Sequence, residues 1–118
     1  MQKLSRGELE AAFTRAIIKL EKEYLGRGPM DARTYVLDDI VLVRLRGVLT
    51  LAEVKLSETE SGRDLVKETR RRLFESTRSM IEDAVREIFG RTVISLHTDL
   101  STRTGERVIV LTLDQAVE

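Results

Sequence analysis

Ser95, His97 and Asp99 alternate along a segment rich in β-formers, so their side chains would leave one face of a strand, and Arg103 follows in a turn. An imidazole, a carboxylate and a guanidinium so placed could close over a small anion. A carboxylate beside an imidazole is also the orienting half of a Ser-His-Asp arrangement, but nothing in the chain supplies the activated nucleophile. The plainer reading of these residues is a surface or interface hydrogen-bond network. The loop Ser101-Thr102-Arg103-Thr104-Gly105-Glu106-Arg107 also admits two readings. Its hydroxyls, guanidinium and glycine could cradle an anion, or it could simply close a hairpin, with Gly105 at positive φ and Ser and Thr satisfying turn amides. A second basic group forms if Asp38-Asp39 is a two-residue turn, because Arg33 then faces Arg44, with Arg46 beside them. Gly26-Arg27-Gly28-Pro29 is a helix stop, since it lacks the Lys-Ser/Thr of a phosphate loop. One histidine without any cysteine makes a poor transition-metal site, and no cofactor-binding motif is expected.

The elements that must position these groups are legible in the pattern. Ser5 and Glu8 form a capping box, and Leu9, Phe13, Ala16, Ile17, Leu20 and Tyr24 recur at helical spacing, predicting a helix over about residues 6–25. A hairpin over 33–47 places Thr34, Val36, Val41, Val43 and Leu45 on one face. Tyr35, Leu37, Ile40 and Leu42 lie on the other with the arginines. Thr50 and Glu53 repeat the capping box and predict a short helix over about 51–57. From Gly62 to Phe89 no proline intervenes, and Val66, Leu73, Thr77, Met80, Ile81, Ala84, Val85 and Ile88 keep one stripe, which reads as a single long helix. A second hairpin would put Ile94, Leu96 and Leu100 on the core face with Ile109, Leu111 and Leu113, and Val108, Val110 and Thr112 on the opposite face. Arg63, Lys67, Arg70, Arg71, Arg72 and Arg78 are interleaved with Asp64, Glu68 and Glu75, as on a solvated, salt-bridged helix face.

The expected architecture is α+β, in the order α-β-β-α-β-β. Two hairpins form a four-stranded, mostly antiparallel sheet, with the N-terminal helix and the long helix on one face. The chain of 118 residues suits one domain spanning 1–118, and 42% apolar residues suffice for its core. Apolar residues on both faces of the strands, Val108 and Val110 above all, require a cover for the second face, and pairing of two copies supplies it, so a homodimer is expected. Twenty Lys+Arg against twenty Asp+Glu and 4% aromatic residues argue against a nucleic-acid partner. No apolar run approaches the roughly 18–20 residues of a membrane span. Neither does the opening Met-Gln-Lys-Leu-Ser-Arg-Gly-Glu read as a signal peptide, so a cytoplasmic location is the default.

Four segments in this order and spacing resemble the MpsC-like family. They are Gly26-Arg27-Gly28-Pro29, Asp38-Asp39-Ile40-Val41-Leu42-Val43-Arg44-Leu45-Arg46-Gly47-Val48-Leu49-Thr50, Glu60-Ser61-Gly62-Arg63, and Ser95-Leu96-His97-Thr98-Asp99-Leu100-Ser101 with the loop to Arg107. The resemblance covers nearly the whole chain. It implies an association with a sodium-translocating, membrane-potential-generating system, and it brings no assigned reaction or catalytic residue. Two functions are therefore expected in competition. One is a non-enzymatic accessory or regulatory subunit acting by protein–protein contact with a membrane ion or bicarbonate transport system. The other is a small-anion sensor for bicarbonate, phosphate or a carboxylate, in which Arg44, Arg46, His97, Asp99 and Arg103 form the site; participation of an imidazole would make binding pH-dependent.

Overall fold

The computed structural model describes residues 4–117; the ends of the expected 1–118 domain, residues 1–3 and 118, lie outside them. Helix α1 (Arg6–Leu20) opens on the expected capping box, with Ser5 Oγ accepting from the Glu8 amide and the Glu8 carboxylate accepting from the Ser5 amide. It passes into a π-helical turn, Glu21–Leu25, before Gly26 ends it at φ +125°. Strands β1 (Asp31–Leu37) and β2 (Ile40–Arg46) form the first hairpin around Asp38-Asp39. Asp38 takes φ +56°, a left-handed conformation that Asp tolerates better than most non-glycine residues. Helix α2 (Leu51–Leu56) carries the second capping box. Helices α3 (Glu60–Glu75) and α4 (Arg78–Phe89) lead to β3 (Val93–Leu100) and β4 (Arg107–Leu113).

The sheet order is β1-β2-β4-β3, every pair antiparallel, so the two hairpins join through β2 and β4. Tyr35 faces Leu42 and Arg33 faces Arg44, as the two-residue turn requires. The inner face, with Val36, Val41, Val43, Leu45, Ile109, Leu111 and Leu113, is buried against Phe13 and Ile17 of α1, Val66 and Phe74 of α3, and Ile81, Val85 and Phe89 of α4. Phe13 and Phe89 meet at 5.2 Å between ring centroids, tying α1 to α4. At the free edge of β1, Glu10 accepts the Val36 amide at 2.7 Å and Thr14 Oγ1 donates to Thr34 Oγ1 at 2.8 Å. Helix α1 thus occupies an edge that would otherwise offer unpaired backbone groups.

Three sequence expectations need correction. The long helix is two helices. At the junction Ser76 Oγ donates to the Leu73 carbonyl and the buried Thr77 Oγ1 to the Phe74 carbonyl, drawing on backbone acceptors that an unbroken helix would use. Ile94 is 65% exposed instead of lying in the core. A β-bulge between Val93 and Ser95 shifts the register, so Val93 faces Leu113 and Ile94 turns outward, while Leu96 and Leu100 keep their inward positions. Arg70, read as one of a solvated basic run, is 2% exposed. The rest of that run fits the expectation, with Arg71 and Arg72 paired to Glu68 and Arg78 to Glu75.

Candidate functional site

Among the described residues no helix covers the outer face of the sheet, and the strand register sets out its side chains in rows. One row runs Arg33, Arg44, Val108, Asp99, and the next runs Tyr35, Leu42, Val110, His97. The third runs Leu37, Ile40, Thr112, Ser95. Tyr35, Leu37 and Ile40 are exposed, and Leu42, Val108 and Val110 are half-buried. This is a mainly aliphatic surface with a basic corner.

Arg44 and Arg46 do come together at that corner, where Arg33, Asp31 and Tyr35 complete a shallow pocket of about 290 Å³. Arg44 Nε donates to Glu106 Oε2 at 2.6 Å, which compensates one of its charges. His97 and Asp99 share the outer face of β3, on different rows. Asp99 Oδ1 accepts its neighbour Leu100's amide at 2.9 Å and faces Lys67 Nζ at 3.3 Å. That amide and then Lys67 hold its carboxyl below the usual range. Arg103 lies elsewhere, lining a separate pocket with Arg27, Gly47, Leu51 and Val54. No hydrogen bond among the described residues joins it to His97 or Asp99. Within the loop, Ser101 Oγ accepts the Thr104 amide and Thr104 Oγ1 the Glu106 amide, so those hydroxyls serve the turn.

A second group lies beneath the inner face. Arg70 donates to both oxygens of the Glu53 carboxylate at 2.7 and 2.6 Å, and to the carbonyls of Leu25 and Val48 at 2.8 Å each. Burial alone would raise the Glu53 carboxyl, but the bonds from Arg70 and the Thr50 amide outweigh it and leave it lowered. Arg107, 3% exposed, is less well served. Its Nη1 donates to Thr98 Oγ1 at 2.9 Å, its guanidinium lies 4.6 Å from the Phe74 ring centroid, and its Nε has no partner among the described residues. Glu21, 1% exposed, leaves Oε1 without a partner among the described residues; burial pushes its carboxyl up although the charges of Arg107 and Arg70 act against that.

A family model described as "Na+-translocating membrane potential-generating system (MpsC)" matches residues 5–115. The chain belongs to the MpsC family. It is 41% identical over 116 residues to the uncharacterized protein YbcI of Bacillus subtilis (strain 168), spanning 98% of this chain and 94% of that protein. It is 26% identical over 107 residues to the uncharacterized protein YrhF of the same organism, spanning 90% and 88%. No solved structure matches it.

In this MpsC-family chain, no helix among the described residues is long and apolar enough to cross a membrane, and no three His, Cys, Asp or Glu side chains gather where a metal ion could sit. The surface chemistry on offer is contact through aliphatic side chains and attraction of anions at the arginine corner. Residue type does not mark these charges as buried, yet the position of each carries a signal. Arg107 has the strand parity of Ile109, Leu111 and Leu113, Arg70 stands midway between Val66 and Phe74, and Glu21 continues the Phe13–Ile17 stripe.

Proposed function

We propose that this MpsC-family chain is a non-enzymatic accessory or regulatory subunit that pairs with a second copy through the outer face of its sheet. The assembled subunit acts by protein–protein contact on a membrane ion or bicarbonate transport system. The observation that carries the reading is the uncovered aliphatic face itself, a kind of surface that usually marks an interaction site. Its rows are self-complementary. A two-fold axis running parallel to the strands between β2 and β4 would lay β1 over β3 of the second copy. Leu42 would then meet Val110, and Arg33, which makes no ion pair among the described residues, would meet Asp99. The transport role rests on the description of the family and on nothing in the site.

Light scattering at micromolar concentration should give about twice 13.4 kDa, and membrane co-fractionation should recover a transport subunit with the native chain. A monomer near 13.4 kDa would sink the pairing, and recovery of no membrane partner would count against the transport role.

The arginine corner favours a second reading, a small-anion sensor acting in the cytoplasm. Arg33, Arg44 and Arg46 line one pocket, so bicarbonate, phosphate or a carboxylate would bind there. His97, Asp99 and Arg103 would contribute only after side-chain or loop movement. Calorimetry should then show anion binding that Arg46→Ala abolishes; equal binding by native and variant chains would exclude the corner.

A further inference from the structure

We propose that the pocket between α3 and the β3–β4 hairpin binds a free small monocarboxylate with a short apolar body, its carboxylate held by Arg107. This site lies apart from the arginine corner and meets the outer face of the sheet only at Asp99. The pocket measures about 340 Å³, and Phe74 and Leu100 provide apolar wall while Thr98 and Arg107 provide the polar end.

Arg107 is the group that calls for a ligand. A buried guanidinium usually has its charge matched and its donors satisfied, because an unpaired buried charge is strongly destabilising. Arg70 meets that standard, with four bonds that include both oxygens of a carboxylate. Arg107 has one hydroxyl acceptor, an aromatic face and no carboxylate within ion-pair distance among the described residues. Glu21 interacts with it only through space, and its Oε1 accepts no hydrogen bond among the described residues. A carboxylate entering the pocket would supply the opposite charge against the planar donor fork that guanidinium presents.

The rim argues for a monoanion. Lys67 is engaged with Asp99 at 3.3 Å and Arg71 with Glu68 at 2.8 Å, so neither cation is free; Glu75 is matched by Arg78 at 3.2 Å, and Asp64, which makes no ion pair among the described residues, adds negative charge. A phosphate dianion would meet that acidic rim with a single unpaired cation behind it. A monocarboxylate carries less charge past the rim and can lay its alkyl part on Phe74 and Leu100.

The test uses the full chain with acetate, hexanoate and inorganic phosphate as probes, read by thermal shift and calorimetry. Hexanoate should stabilise saturably at millimolar concentration, more strongly than acetate, and phosphate should not. Arg107→Met keeps the bulk, removes the charge and should abolish the response while the protein still folds; Arg107→Lys should weaken binding about tenfold. Should Arg107→Met fail to fold, Thr98→Val, which removes the hydroxyl that orients the guanidinium, should still weaken the hexanoate response. No saturable response from the native chain, a response unchanged in the Arg107 or Thr98 variants, or a stronger response to phosphate would each overturn the assignment.

Discussion

The two faces of the sheet carry similar aliphatic side chains to opposite ends. Val43 and Leu45 point inward from β2 and are fully buried; Ile40 and Leu42 point outward from the same strand, where no helix among the described residues covers them. The charges divide the same way. Arg70 and Arg107 are buried on the inner side, Arg70 fully partnered and Arg107 only in part, whereas Arg33, Arg44 and Arg46 crowd one open corner. Residue type therefore does not separate scaffold from working surface here. What separates them is whether the fold itself supplies a neighbour.

The largest way to sharpen that contrast is Arg70→Ala. It strips Glu53 and two carbonyls of their donor and should destabilise the chain by about 3–5 kcal/mol in urea denaturation. The pH dependence follows from Glu53. Its carboxyl is lowered in the folded state, so its contribution is present above the unfolded value of about 4.3 and is lost as pH falls through the folded value. The gap between native and variant stability should thus be full near neutrality and narrow in acid; a gap independent of pH would show that Glu53 is not the partner that matters. Next in size, Leu45→Ala should cost about 3 kcal/mol, by lost burial and a cavity beneath the sheet.

Much of this contrast is legible in the sequence, because strand parity assigns faces. The two-residue turn at Asp38-Asp39 places Tyr35 against Leu42, and that pairing fixes every side chain of the first hairpin. Parity fails at Ile94, where a bulge inserts one residue, and no residue type in Thr92-Val93-Ile94-Ser95 announces it. The helix break at Ser76-Thr77 is equally quiet, since both residues are compatible with a helix and the break depends on their hydroxyls turning back onto carbonyls. The buried ions were hidden for a different reason. Arg70 belongs to a run of charges whose neighbours are solvated, and only its spacing from Val66 and Phe74, not its chemistry, marks it as inward. Arg103 shows the converse. It is near Asp99 in sequence, but a loop closed by its own Ser101 and Thr104 hydroxyls carries it to another surface.

The smallest expected effect tests the outer face most directly. Leu42 and Val43 are adjacent on β2 and point to opposite faces, so the same polar replacement at each compares the faces with backbone position held nearly constant. Val43→Thr buries a hydroxyl among aliphatic neighbours and should cost roughly 1–3 kcal/mol. Leu42→Thr places a residue of good strand propensity on a face that no helix covers, so in dilute solution, where any pairing is dissociated, its cost should stay below about 1 kcal/mol. The same change should weaken self-association measured by sedimentation, because the side chain it removes lies at the centre of the proposed contact. A Leu42→Thr protein that is as destabilised as Val43→Thr while monomeric would mean that the outer face is needed for folding. One that is stable and associates like the native chain would mean that the aliphatic rows are not where two copies meet.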